Sequence, residues 1–103
     1  MDLAECIYAE TTAMPSSERF GITQQIRRSA CSIAANVGEG SARSTDRDFA
    51  SFISIARGSL RETETLWLLA RRLGYVEESP KLNGLCVEVG KKLTQLNKKL
   101  RQQ

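Results

Sequence analysis

The sequence predicts an all-α fold, an antiparallel up-down-up-down four-helix bundle with a shortened first helix. Three observations lead there. Apolar residues recur at spacings of three and four along most of the chain, Ser, Thr, Pro and Gly mark helix starts and stops, and no stretch alternates apolar with polar residues as a half-buried strand does. At 103 residues the chain is the size of one domain, 1–103, built around one core.

In the first segment, Leu3, Ile7 and Met14 predict a helix over residues 2–14, stopped by Pro15 with Ser16 and Ser17 as turn residues. A second helix is expected after Gly21, with Thr23 as N-cap. Its stripe is Ile22, Ile26, Ala30, Ile33 and Val37, and Gly38 and Gly40 are expected to end it. Ser29, Ala30, Cys31, Ser32, Ala34 and Ala35 are small enough to let neighbouring helices approach closely, which marks this helix as central. The third helix opens on Thr45 with Asp48 three residues on, a capping-box spacing, and Asp46 adds favourable charge near the N-terminus. Gly74 marks its end. Phe49, Phe52, Ala56, Ser59, Thr63, Leu66, Ala70 and Leu73 form its seam, widened by Ile53, Leu60 and Trp67. About 29 residues make such a helix roughly 43 Å long. Ser79 as N-cap and Pro80 as first helical residue open the fourth helix, followed by Leu82, Leu85, Val89, Leu93, Leu96 and Leu100.

The third helix carries more apolar surface than one core needs. With Ala56 as reference and about 100° per residue, Ile55, Leu66 and Leu69 fall to one side of the seam and Leu68 to the other. These four are the candidate oligomer interface; the alternative is a central helix touched by all three others. A lone domain of this size leaves roughly a third of its unfolded-chain surface exposed, which also favours association.

Composition narrows the chemistry. The absence of histidine removes the commonest general base, the usual zinc and haem ligand, and every Ser-His or Cys-His nucleophile pair. Gly38-Glu39-Gly40 matches neither a phosphate loop nor a dinucleotide fingerprint, and there is no Glu-x-x-His pair for a carboxylate di-metal bundle. A non-enzyme with no cofactor and no metal is expected. Cys6, Cys31 and Cys86 form no CxxC pair and are expected as buried, reduced core thiols. No run approaches the roughly 18 apolar residues of a membrane span, and Asp2 and Glu5 stand where a signal peptide is basic, so a soluble cytoplasmic protein is expected. Net charge is +3, distributed as −3 over residues 1–20, +3 over 21–76 and +3 over 77–103. Lys91, Lys92, Lys98, Lys99 and Arg101 follow the last acidic residue, Glu88, and invite an anionic partner.

Residues Gly21 to Tyr75 carry a resemblance. Gln25-Ile26-Arg27-Arg28-Ser29-Ala30, then Ser32-Ile33-Ala34-Ala35-Asn36-Val37-Gly38-Glu39-Gly40, are close to the pattern QIRRAAxSIxxNIAEG. Phe49, Phe52, Ile55-Ala56-Arg57-Gly58-Ser59-Leu60, Glu62, Glu64 and Leu73-Gly74-Tyr75 supply its second half. The chain thereby resembles the four-helix-bundle proteins encoded in intervening sequences of 23S ribosomal RNA genes, related to the accessory variability determinant protein of diversity-generating retroelements. The resemblance implies a homopentameric ring with a central channel. From the retroelement branch it implies a basic surface that holds RNA and a reverse transcriptase. Ala35 and Gly38 depart from the commoner Ser and Ala, and members usually carry further residues ahead of the first helix, so the expectation is either an abbreviated first helix or a native chain that starts upstream of Met1.

The candidate nucleic-acid-binding residues are Arg27, Arg28, Arg43, Arg47, Arg57, Arg61, Lys91, Lys92, Lys98 and Lys99. Arg57 and Arg61 lie one turn apart with Glu64 beyond, so they read either as an ion-pair ladder or as a phosphate-binding row. Arg27, Arg28, Arg43 and Arg47 cluster near helix two and its following loop, where Glu39, Asp46 and Asp48 offer neutralisation. Asn36 is expected to crosslink backbone, and Glu39 to pair with Arg27, Arg28 or Arg57. Tyr8, Phe20 and Tyr75 are left as exposed aromatic platforms, too few for extensive base reading, so backbone-directed binding is expected. The partners expected are further copies of the chain, RNA or DNA, or a nucleic-acid-processing protein, and no membrane. The alternative function is a protein-interaction scaffold that binds no nucleic acid.

Overall fold

The computed structural model describes residues 1–102, which form a four-helix bundle: α1 (Asp2–Glu10), α2 (Ile22–Ser41), α3 (Asp46–Arg72) and α4 (Pro80–Arg101), with a 3-10 turn at Ser16–Glu18. The bundle measures 46 × 24 × 18 Å, its long axis set by α3. Helix α3 packs on both α2 and α4, while α1 lies against α2 and α4. With 9 residues, α1 reaches only about 13 Å and covers part of the α2–α4 groove.

The two clearest helix starts are as the sequence predicts. Thr45 Oγ1 accepts the Asp48 amide at 3.1 Å, and Ser79 Oγ accepts the Leu82 amide at 3.2 Å with Pro80 at the first helical position. Ser79 also donates to Glu10 at 3.3 Å, joining the end of α1 to the start of α4. The end of α3 is a Schellman motif: Gly74 at φ 77°, its amide on Arg71 O and the Tyr75 amide on Ala70 O.

Two other boundaries differ from expectation. Helix α1 ends at Glu10, ahead of Pro15: the Thr11 amide and hydroxyl both go to Ile7 O, and the Thr12 amide and hydroxyl turn to Ala9 O, three residues back, which closes the last turn. Met14 is nevertheless buried, carried inward by the turn. Helix α2 runs through Gly38 and Gly40 to Ser41. A β-carbon on Gly40 lies 2.7 Å from Phe52 Cβ and 2.8 Å from Phe49 Cδ1, so this glycine serves helix contact rather than helix termination. The N-cap of α2 is Gly21, and Thr23 is buried instead; Glu18 Oε1 accepts the Ile22 amide at 3.4 Å.

The core contains Ile7, Ile26, Ile53, Leu60, Trp67, Leu82 and Leu93, with Ala50, Ala56 and Ala70 fully buried along α3. Between α2 and α3 runs a hydroxyl seam. Ser29 and Thr63 Oγ atoms lie 2.8 Å apart, Ser32 and Ser59 Oγ atoms 2.9 Å apart, and Asn36 donates to Ser32 O at 2.8 Å within its own helix. Small side chains satisfied this way allow close packing without orphaned polar atoms. Cys6 and Cys86 are buried as expected; Cys31 is exposed, a correction, because it points out of α2 beside Tyr8. Burial first, and then the charge of Glu64, pushes the Cys86 thiol up to about 11. Leu73, counted in the seam, is 50% exposed.

Candidate nucleic-acid interface

Helix periodicity sorts the basic residues into separate faces. On α3, Arg47, Arg57 and Arg61 fall within about 80° of one another. On α4, Lys91 and Lys98 are two turns apart and so share a side, while Lys92 and Lys99 share the neighbouring one. Arg61, Glu64, Lys91, Thr94 and Gln95 line one depression of about 390 Å³ between α3 and α4. The structure therefore brings Arg61 and Lys91 together on the α3–α4 face, and helix periodicity puts Arg57 and Lys98 on the same sides of their helices. Arg101 extends that face, with its guanidinium 3.2 Å from both Asn97 Oδ1 and Ser54 Oγ.

Ion pairing separates these residues further. Arg61 pairs with Glu64 at 2.7 Å, Arg43 with Glu39 at 2.8 Å and Lys92 with Glu88 at 2.9 Å. The Lys92 pairing and its neighbouring charge hold the ammonium above its usual value and the Glu88 carboxyl below its own. Glu39 thus takes Arg43, four residues on, and not Arg27, Arg28 or Arg57; Arg28 shares its side of α2 but stands about three turns away. Among the described residues Arg28, Arg47, Arg57, Lys91, Lys98 and Lys99 are exposed and form no ion pair. Lys98, Lys99 and Arg101 also complement the C-terminal dipole of α4.

Arg27 is a structural residue. Its Nε donates to Thr11 Oγ1 at 2.9 Å, its Nη2 reaches Tyr8 O at 3.4 Å, and its guanidinium lies 4.7 Å from the centre of the Tyr8 ring, so it fastens α2 to α1. Arg43 is likewise stacked 4.6 Å over Phe52. Tyr75 is not a free platform: it is half-buried and its hydroxyl donates to Glu18 Oε2 at 3.1 Å, which raises the phenol above its ordinary value. Tyr8 and Phe20 are exposed, as expected.

The apolar candidates also divide. Ile55 and Leu69 are 53% and 42% exposed, and with Leu73 they form a stripe about 40° wide along α3. Leu68, 43% exposed, stands on the opposite side near Val87. Leu66 is half-buried and packs on the core. Sequence reasoning missed Asn97, a buried amide on α4 that donates to Ala50 O at 3.1 Å and Ser54 Oγ at 3.2 Å. Its one signal was position, four residues after Leu93 on the inward side of the helix.

Residues 1–95 match the family described as 23S rRNA-intervening sequence protein. The chain belongs to that family. No curated protein matches it. For this member of the family, the matched span contains the candidate basic residues from Arg27 to Lys92 and leaves Lys98 and Lys99 beyond it. No helix among the described residues is long and apolar enough to cross a membrane.

Proposed function

We propose that this family member is a non-enzymatic, homo-oligomeric accessory protein that binds the phosphate backbone of RNA or DNA through its α3–α4 face. The observation that carries the reading is the depression that Arg61 and Lys91 share on that face, with Arg57 and Lys98 on the same sides of their helices and Arg61 alone of the four in an ion pair. Exposed, unpaired cations keep their full charge available for phosphate, and guanidinium groups match its oxygens in pairs. One copy offers few contacts. Repetition of the face around an assembly raises affinity through multivalency.

Electrophoretic shift assays at about 50 and 200 mM salt test this. Arg57→Gln/Lys91→Gln/Lys98→Gln is expected to weaken binding uniformly across sequences and to flatten the logarithmic salt slope by about one for each phosphate no longer neutralised. Lys92→Gln/Lys99→Gln, on the neighbouring side of α4, is expected to do less. Absence of binding by the wild type at low ionic strength would leave the scaffold reading, which the exposed Ile55, Leu69 and Leu73 stripe favours.

The same stripe supports association, because isolated leucines on a surface are ordinary whereas a row at one helical angle is a contact surface. Sedimentation equilibrium at micromolar concentration is expected to show a stable homo-oligomer, by resemblance a pentamer. A monomer there would remove both the ring and the interface role of these residues.

A further inference from the structure

A second surface, between α1 and the start of α2, combines exposed aromatic rings with arginines and has no acid in its lining, the adjacent Glu18 being turned to the Ile22 amide and the Tyr75 hydroxyl. Tyr8, Arg19, Phe20, Thr23, Gln24, Arg27, Arg28 and Cys31 enclose a depression of about 420 Å³. That volume lies within the range of about 300–1,000 Å³ common to small-ligand sites. Phe20 is 78% exposed, which leaves a large apolar face in water. The Arg19 guanidinium lies 5.3 Å from its ring centre.

The opposite wall is held in place. Arg27 stacks over Tyr8 while bonded to Thr11 Oγ1 and Tyr8 O, so the Tyr8 ring is fixed against α2 before any ligand arrives. Arg28 is exposed and unpaired, and Thr23, buried in the floor, has a hydroxyl without a hydrogen-bond partner. Gln24 adds an exposed amide with donors and an acceptor. The neighbouring α1–α4 depression, by contrast, is lined by three acids, Asp2, Glu5 and Glu10, against one cation, Lys81, and is net acidic.

Resting on the nucleic-acid reading above, we propose that this depression is a nucleotide subsite for single-stranded RNA or DNA, in which an unpaired base stacks on Phe20 and its phosphate meets Arg19 and Arg28. Aromatic faces accept any base, and guanidinium planes add cation–π attraction and phosphate contacts. A duplex keeps its base faces stacked internally and cannot use the site. The α3–α4 face binds backbone of either kind; this subsite distinguishes single strands.

The test is fluorescence anisotropy with labelled oligoadenylate, alone and annealed to oligouridylate, on wild type, Phe20→Ala and Phe20→Trp. Phe20→Ala is expected to weaken single-strand binding about fivefold or more, to leave duplex binding and its salt slope unchanged, and to be rescued by Phe20→Trp. Single-strand binding that survives Phe20→Ala overturns the subsite and leaves the backbone reading standing. No binding of either probe by the wild type overturns both. If Phe20→Ala changes the sedimentation of the protein, Phe20 belongs to a subunit contact and the subsite is likewise overturned.

Discussion

Replacing Trp67 by alanine is expected to lower the free energy of unfolding by about 3–5 kcal/mol. Trp67 is 5% exposed, in the core near the C-terminal end of α3, and lines a narrow space with Ile7, Thr63, Leu82 and Cys86, on three different helices. Removing the indole loses its burial and leaves a cavity that cannot collapse, because Thr63 is bonded to Ser59 O and lies against Ser29, and α1 is fastened to α2 through Arg27. The indole N–H is buried without a partner, so Trp67→Phe separates volume from polarity. Phenylalanine sheds the unpaired donor while losing only part of the volume, and its cost is expected to stay below about 1.5 kcal/mol. Thermal or denaturant unfolding of the two variants measures both. A loss under about 1 kcal/mol for Trp67→Ala would mean that α1, α3 and α4 are not packed around this ring.

The parts of the fold that were legible in the sequence are those decided locally. A Thr three residues before an Asp, a Ser followed by Pro, and a Gly after the last periodic residue each satisfy specific backbone groups, and each marks the boundary found in the structure. What was illegible depends on partners distant in sequence. Gly38 and Gly40 look like stops until Phe49 and Phe52 are folded against the second of them. Cys31 has the composition of a core position, yet only the angle of α2 against α1 decides that it faces out. Asn97 is a polar residue among the heptad-like leucines of α4, and its burial makes sense once Ala50 O and Ser54 stand opposite.

The same division runs through the candidate sites. The basic residues were legible as residues, but their grouping was not: neighbours in sequence such as Lys91 and Lys92 part onto different sides of α4, while Arg61 and Lys91, thirty positions apart, line one depression. Arg27 reads as a surface cation in sequence. Its hydrogen bonds to α1 show it holding two helices together. Phe20 and Arg19 are adjacent in a turn that has no periodicity to read, and only the position of Tyr8 and Arg28 around them makes a site.

Two alanine substitutions two residues apart in α2 are expected to change stability in opposite directions. At Gly38 a β-carbon meets nothing within 4 Å, so Gly38→Ala removes the flexibility penalty of a mid-helix glycine and is expected to gain about 0.5–1 kcal/mol. At Gly40 the same methyl group is placed 2.7 Å from Phe52 Cβ. That atom is fixed to the α3 backbone and no rotamer moves it away, so α2 and α3 must separate where they approach at their loop. Overpacking of this kind costs about 1–3 kcal/mol and outweighs the helix-propensity gain, and Gly40→Val, with two further methyl groups against Phe49, is expected to reach or pass the upper end of that range. The two aromatic rings are half-buried, so part of the strain can be relieved by opening the α2–α3 turn, which carries Arg43 over Phe52. Unfolding midpoints of Gly38→Ala, Gly40→Ala and Gly40→Val decide the matter, since about 1 kcal/mol moves the midpoint of a domain this size by several degrees. Equal effects of alanine at the two positions would mean that α2 does not pass against Phe49 and Phe52, and that the helix ends at Gly38 as the sequence alone suggests.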